Sequence, residues 1–216
     1  MRALIIANGR GGARRQLQAL ARSVDLIIAA DGGAEAAVRA GLHPHALVGD
    51  MDSVTPATRA RLGAAGTELR IVPREKDRTD AELALELAAG RGATEAWLAA
   101  GLGGRADHAL ANVFLVLRAR ELGVRMRLVD GPTQAYLVEG PLELDGDVGD
   151  LISLIPLSPS VAAITTFGLR YPLTNEPLMR GATRGMSNVI DAIPAGISRL
   201  EGGDLLLIHT RQRRRL

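Results

Sequence analysis

The chain of 216 residues contains no cysteine, which removes disulfides, thiolate-bound zinc and iron–sulfur clusters from consideration. Lysine is nearly missing: Lys76 is the only one, and arginine carries the rest of the positive charge. Aromatic residues are as scarce, with one Trp, two Tyr and two Phe, so the chain cannot build a nucleic-acid surface of basic residues interleaved with stacking rings. The one basic run, RQRRR (211–215), reads as a solvated terminus. No apolar stretch approaches the ~20 residues of a membrane span, and MRALIIANGRGG has too short an apolar core for a secretory signal. The four histidines show no metal-ligand spacing. These absences predict a cytoplasmic protein with no nucleic-acid and no membrane partner. What remains, 47% hydrophobic and 23% charged residues, is a composition that buries a core.

Apolar runs alternate with helix-like segments up to about residue 130. ALIIA (3–7), DLIIAA (25–30), HALV (45–48), ELRIV (68–72), EAWLAA (95–100) and RMRLV (125–129) read as strands. Helices are expected near 13–22, 33–40, 56–65, 80–89 and 106–122. This alternation predicts a parallel sheet with helices on its faces, an α/β layered domain over 1–130. Two helix starts are locally specified. Thr55-Pro56 is an N-cap with proline at N1, and Thr79 through Glu82 fits a capping box. From 131 onward the runs are short and broken by Gly, Pro, Asp and Ser, which predicts a smaller antiparallel β-sandwich over 131–216, with DGPT (130–133) as the hinge.

Ligands of an open parallel sheet bind beyond the carboxyl ends of its strands, where loops and helix N-termini converge. The loops at those ends are Asn8 to Gly12, Asp31-Gly32-Gly33, Gly49 to Ser53, Arg74 to Asp80, and Gly101 to His108. An aspartate at a strand end commonly caps a helix, and glycine commonly tightens a turn. Turns alone do not need so many carboxylates on one edge, and like charges at close range repel unless a cation lies between them. A divalent metal accounts for them economically. Asp50 and Asp52, one residue apart in a turn, can aim into one cavity, and magnesium takes one or two carboxylates plus substrate phosphates. Arg105, Lys76 and the Gly-rich backbone complete the parts of a phosphoryl-transfer centre. No Walker A, kinase or GxSxG pattern is present. Gly101-x-Gly103-x-x-Ala106 with Asp130 imitates a dinucleotide fingerprint, but that reading leaves the other acids unexplained. His108 and Asn112, spaced i, i+4, are assigned capping or packing roles, and Trp97 a core role.

Six blocks in order, ADGGA (30–34), GDMDS (49–53), EKDRTD (75–80), GGRADHALANV (103–113), TTFGLRYPL (165–173) and GMSN (185–188), resemble the thiamine pyrophosphokinase (thiamine diphosphokinase) family. The resemblance implies Mg²⁺-dependent transfer of a diphosphate from ATP to the thiamine hydroxyl, giving thiamine diphosphate and AMP, by a homodimer with an α/β catalytic domain and a β domain that holds thiamine. On matching positions it implies Asp50, Asp52, Asp80, Arg105 and Asp107 as catalytic residues, with Asp50, Asp52 and Asp80 as metal ligands. It implies Asp31, Gly32, Gly33, Lys76, Thr79 and Gly104 around ATP and its metal, and Ser187 and Asn188 toward thiamine. Met51, Ala106 and Val189-Ile190 depart from the family's usual residues. A diphosphokinase for another heterocyclic alcohol such as a pterin, and a non-catalytic nucleotide- or thiamine-binding module, are the alternatives.

Overall fold

The computed structural model describes residues 1–9 and 13–212. Arg10, Gly11 and Gly12 of the first strand-end loop, and residues 213–216, which include the last three arginines of the basic run, lie outside them. The chain divides into two compact units, Met1–Gly131 and Pro132–Leu216.

In the first unit six strands alternate with five helices: β1 (Arg2–Ile6), α1 (Arg14–Ala21), β2 (Leu26–Ala30), α2 (Gly33–Arg39), β3 (Ala46–Gly49), α3 (Pro56–Ala64), β4 (Glu68–Ile71), α4 (Asp80–Gly90), β5 (Glu95–Ala99), α5 (Ala106–Glu121) and β6 (Arg125–Asp130). The strands lie in the order β6-β5-β1-β2-β3-β4 and every pair is parallel. β2 and β3 are buried along their whole length, as strands covered by helices on both faces must be, and they read as unbroken apolar runs for that reason. β4 is the edge, and its ELRI sequence is largely exposed and carries both charges, which blunts pairing with another chain. Right-handed crossovers put α1, α2 and α3 on one face, where α2 touches both neighbours, and α4 and α5 together on the other. The order reverses at β1. The next strand in sequence, β2, lies on one side of it and β5 on the other, so the crevice beyond the carboxyl ends of β1 and β5 is the topological switch point.

Two close approaches hold the loop after β2 in place. A Cβ on Gly33 would lie 1.9 Å from the Ile6 carbonyl oxygen, and one on Gly32 would lie 2.3 Å from Asn8 Nδ2. No side chain fits at Gly33 without moving the β1 backbone, and one at Gly32 would displace the Asn8 side chain, so helix α2 can start directly against β1 because Gly33 is glycine. Gln16 exchanges two hydrogen bonds with the Gly131 backbone, donating from Nε2 to the carbonyl (2.7 Å) and accepting from the amide at Oε1 (3.0 Å).

The second unit holds β7 (Thr133–Val138), β8 (Leu142–Glu143), β9 (Leu151–Pro156), β10 (Ser160–Phe167), β11 (Glu176–Met179), β12 (Asn188–Val189), β13 (Gly196–Glu201) and β14 (Leu205–Thr210). Antiparallel pairing joins them as β12-β9-β14-β7 and β11-β10-β13-β8. Inward residues of both layers, among them Ile152, Leu154, Ile164, Leu178, Ile197 and Leu207, make one core. Along β9 burial alternates residue by residue, the period expected of a sheet with one face inward. The sequence reading did not include β11 or β13. Each offers few inward apolar residues, and each is specified by its partner β10 across a bulged register near Ala162 to Thr165, which no local pattern reports.

A buried carboxylate with three hydrogen-bond partners ties the second unit together. Asp150 Oδ2 lies 2.8 Å from His209 Nε2 on β14 and accepts from the Asp147 amide at 3.1 Å, while Oδ1 accepts from the Gln212 amide at 2.8 Å. Burial pushes the Asp150 carboxyl up, but the Gln212 amide, His209 and the Asp147 amide outweigh it and hold the group below the ordinary carboxylate range. A depressed folded pKa gives stability that is present above the unfolded value and is lost as pH falls through the folded one. Asp150→Asn is therefore expected to lower the unfolding free energy at pH 7 by about 3 kcal/mol. The gap to the parent should close below pH about 4, as read by urea unfolding across pH.

Candidate active site

A cleft of about 970 Å³ opens in the first unit at the carboxyl ends of the strands, on both sides of the switch point. Asn8 and Gly9 from the loop after β1 line it, as do Asp31 after β2, Asp50 and Asp52 after β3, Lys76, Thr79 and Asp80 before α4, and Gly104 and Arg105 after β5.

The floor is acidic. Asp31, Asp50 and Asp52 each offer a carboxylate oxygen, and the three oxygens lie within 4.8 Å of one another. Left-handed backbone aims two of the loops: Asp31 has φ 43° and Met51 φ 67°, while Ala100 on the facing loop has φ 56°. Non-glycine residues adopt this conformation only where the surroundings impose it, and they gather at functional sites. In the GDMDS turn the Asp52 amide donates to Asp50 Oδ1 at 3.0 Å, and the Ser53 hydroxyl donates to Asp52 Oδ1 at 2.9 Å. Met51 points inward and is buried beneath the turn with Val54. The Thr55 hydroxyl then accepts from the Thr58 amide at 3.2 Å, with Pro56 at the first helical position, so the turn ends on a capped helix.

Asp31 is buried, and its Oδ1 has no hydrogen-bond partner. A buried carboxylate with an unpartnered oxygen, grouped with two more carboxylates, is a costly arrangement unless a cation completes it. All-oxygen donors of this kind suit magnesium rather than a soft metal. The triad that forms differs in one member from the sequence-based set, which grouped Asp50 and Asp52 with Asp80.

Asp80 lies beside the triad, against Lys76. Lys76 Nζ is 3.0 Å from Asp80 Oδ1, an ion-pair contact without hydrogen-bond alignment, and 3.9 Å from Asp50 Oδ2. Burial, more than the nearby charges of Asp31 and Asp50, raises the Asp80 carboxyl above its ordinary value, and Lys76 only partly offsets this. Any stability from a raised carboxyl is present below the unfolded pKa and lost as pH rises through the folded one, so at neutral pH Asp80 is not placed for stability. Thr79 caps α4, its hydroxyl accepting from the Glu82 amide at 3.2 Å, while the Glu82 carboxylate lies 3.8 Å from Arg118 Nε.

Arg105 and Asp107 form an exposed pair at the start of α5, with Arg105 Nη2 2.6 Å from Asp107 Oδ2. The guanidinium first, and then the His108 amide, hold the Asp107 carboxyl down to about 2. Arg105 faces the cleft, whereas Asp107 braces it from outside the lining. Gly32 and Gly33 also lie outside the lining among the described residues, since their task is the close packing on Asn8 and Ile6. The cleft also takes in Arg74, Arg78 and His108, which the sequence reading left without a site role. The Arg-Glu-Lys-Asp-Arg density of their loop was the available signal for the two arginines. Asn112 is buried and donates to the Gly101 carbonyl at 2.8 Å, which straps the glycine-rich loop to α5. Asp130 accepts from the Leu102 amide at 3.2 Å and so anchors the same loop, the position that imitates a ribose-binding acid.

In the second unit Ser187 sits at φ 54°, its amide donating to Ser153 Oγ at 3.1 Å. Asn188 is buried and committed to backbone: Oδ1 accepts from the Tyr171 amide (3.0 Å) and Nδ2 donates to the Tyr171 carbonyl (2.7 Å). Asn188 thus joins the GMSN turn to the RYP segment, and the Tyr171 ring is left exposed.

A family model described as thiamin pyrophosphokinase, catalytic domain, matches residues 17–128, and one described as thiamin pyrophosphokinase, vitamin B1 binding domain, matches 141–198. The chain belongs to the thiamin pyrophosphokinase family. It is 33% identical to thiamine pyrophosphokinase of Bacillus subtilis (strain 168) over 165 residues, 76% of this chain and 77% of that one. A crystal structure of thiamine pyrophosphokinase from Bacillus subtilis superposes with a TM-score of 0.87 at 27% identity, over 99% of this chain and 100% of that one. Thiamin pyrophosphokinase from Candida albicans shares the fold, with a TM-score of 0.85 at 16% identity, over 98% of this chain and 89% of that one. The α/β unit with its acidic cleft corresponds to the catalytic model of the thiamin pyrophosphokinase family and the sandwich to its vitamin B1 binding model. No helix among the described residues is long and apolar enough to cross a membrane.

Removing the unpartnered charge separates function from stability. Asp31→Asn is expected to raise the unfolding free energy of the metal-free protein at pH 7 by about 1 kcal/mol, and to abolish any rise in Tm on adding Mn²⁺. Thermal melts with and without Mn²⁺ read both, and a less stable metal-free variant would contradict the assignment.

Proposed function

We propose that this thiamine diphosphokinase moves the terminal diphosphate of ATP to the hydroxyl of thiamine in the acidic cleft, releasing AMP, with Asp31, Asp50 and Asp52 holding magnesium. The observation that carries the reading is the carboxylate triad, whose Asp31 Oδ1 is buried without a partner. Magnesium, when bound, supplies positive charge against phosphate oxygens and limits their geometry. The chain's own groups do the rest. The mouth offers Lys76, Arg74, Arg78 and Arg105 to the phosphates, and these cations favour the charge that develops on the departing AMP. Lys76 can turn toward a phosphate oxygen without losing its place, because carboxylates on both sides hold it. Gly103 and Gly104 leave the backbone bare where the triphosphate passes.

In the transfer, the thiamine oxygen forms a bond to the β-phosphorus as the bond from that phosphorus to the oxygen bridging to the α-phosphate breaks. The electron pair leaves with AMP. The hydroxyl proton goes to Asp80, the carboxylate that burial makes more basic than a solvated aspartate. A loose transition state asks little of that base, so alignment and charge neutralisation dominate. We also propose that the second unit supplies the thiamine contacts, through the GMSN turn and the RYP segment beside it, and that the enzyme is a cytoplasmic homodimer. Sedimentation equilibrium reads the oligomeric state.

Incubation with ATP, Mg²⁺ and thiamine is expected to yield thiamine diphosphate and AMP in equal amounts by mass spectrometry. ADP with thiamine monophosphate would refute the reaction, and turnover of a pterin alcohol in place of thiamine would refute the substrate. Asp52→Asn should lower kcat by about 100-fold or more with the fold intact. Because Asp80 must be ionised to take the proton, kcat/KM should fall as pH drops through its raised pKa. In Asp80→Asn that acid limb should vanish from a lower plateau.

A further inference from the structure

Glu35 lies in the first turn of α2, four residues beyond Asp31, and its side chain reaches across to the start of α3. Glu35 Oε1 accepts from the Thr55 amide at 2.9 Å and Oε2 accepts from the Thr58 hydroxyl at 3.0 Å. The two donors stand at the N-cap and third position of the helix that begins where the GDMDS turn ends. At its other end Glu35 is fixed to the Asp31 loop, since the Ala34 amide donates to the Asp31 carbonyl at 2.9 Å and the Glu35 amide to the Gly32 carbonyl at 3.1 Å. One carboxylate therefore spans the two loops that carry the acid triad.

We propose that Glu35 is a positioning residue for the metal site, setting the distance between Asp31 and the Asp50–Asp52 pair by clamping the α3 N-terminus to α2. The inference rests on the metal reading above. Three carboxylates within 4.8 Å repel one another, offset in part by Lys76 at 3.9 Å from Asp50 and Arg74 at 3.8 Å from Asp52, and Asp31 and the GDMDS turn need a restraint that acts across strands as well as along them. β2 and β3 supply part of it, the Asp31 amide donating to the Val48 carbonyl at 2.8 Å. Beyond the strand ends, Glu35 joins the two loops, and it does so without entering the cleft lining. An ionised carboxylate also suits a helix N-terminus, where unpaired amides and the helix dipole favour negative charge. Burial pushes the Glu35 carboxyl up, but the Thr55 and Thr58 donors outweigh it and hold the group below its ordinary range, so it is an acceptor at neutral pH. Groups that orient metal ligands from behind commonly change metal affinity or activity by about 10- to 100-fold when removed.

The test measures Mn²⁺ binding alone, by the loss of the free-ion EPR signal, on the full chain at a temperature where every variant is folded. Glu35→Ala should weaken Mn²⁺ by about 10-fold or more. Glu35→Gln should stay within about 3-fold of the parent, because its amide oxygen can still accept from Thr55 and its NH₂ can donate to the Thr58 oxygen. Leu17→Ala, a core truncation on α1, should lower Tm without moving Mn²⁺ affinity. If Glu35→Ala melts earlier yet binds Mn²⁺ within 2-fold of the parent, Glu35 only caps a helix and the proposal is overturned while the metal site stands. If Glu35→Ala does not fold, Glu35→Asp carries the test: its shorter side chain cannot reach both donors, and unchanged affinity overturns the proposal equally. If the parent binds no Mn²⁺ at the triad, this inference and the metal reading fall together.

Discussion

The close approach of Asp31, Asp50 and Asp52 is the constraint on which the cleft of the first unit depends. Three carboxylates that bring one oxygen each within 4.8 Å of the others, in a site where Asp31 Oδ1 is buried without a partner, form an arrangement a folded chain resists. It persists because nothing nearby is free to relax. Asp31 and Met51 are locked in left-handed backbone at the ends of adjacent strands, the Asp52 amide is bonded back to Asp50, and the turn runs into a helix whose start is capped twice over, by Thr55 and by Glu35. The cost of the acids is spread through a rigid sheet, which is how strained or like-charged sites are tolerated.

The same architecture divides the ionisable groups by task. Asp80 is raised by burial and sits against Lys76, in a place where its charge costs the fold. Asp150 is buried too, but three donors surround it and its charge stabilises the sandwich. Burial acts upward on both carboxyls. The hydrogen bonds offered to the ionised form decide the sign.

Much of the fold was legible along the chain. Helices α3 and α4 start where the Thr-Pro and Thr-Asp-Ala-Glu signals place them, and the central strands are unbroken apolar runs because a parallel strand buried on both faces favours that composition. β11 and β13 were not legible. Their residues are ordinary in a loop and become strands by pairing, β11 with β10 and β13 with β10 and β8. At the site, the aspartates after β2 and β3 and the cations of the Arg74 to Asp80 loop could be listed in order, but their partners could not. Whether Asp31 or Asp80 completes a triad with Asp50 and Asp52 depends on which neighbouring strand ends face each other. Asn188 shows the same limit: its motif points toward a ligand, and its amide is occupied by the Tyr171 backbone.

The sequence by itself determined the alternation of elements, the change of pattern near residue 131, the exclusion of thiol chemistry, and the chemical character of the cleft, because each follows from residue types and local spacing. Tertiary structure alone decided the strand order that makes β1 a switch point, the orphaned oxygen of Asp31, the pairing of Lys76 with Asp80, and the reach of Glu35 to α3. Those depend on distances between residues far apart in the chain, and such distances exist only once the sheet has closed and water has left.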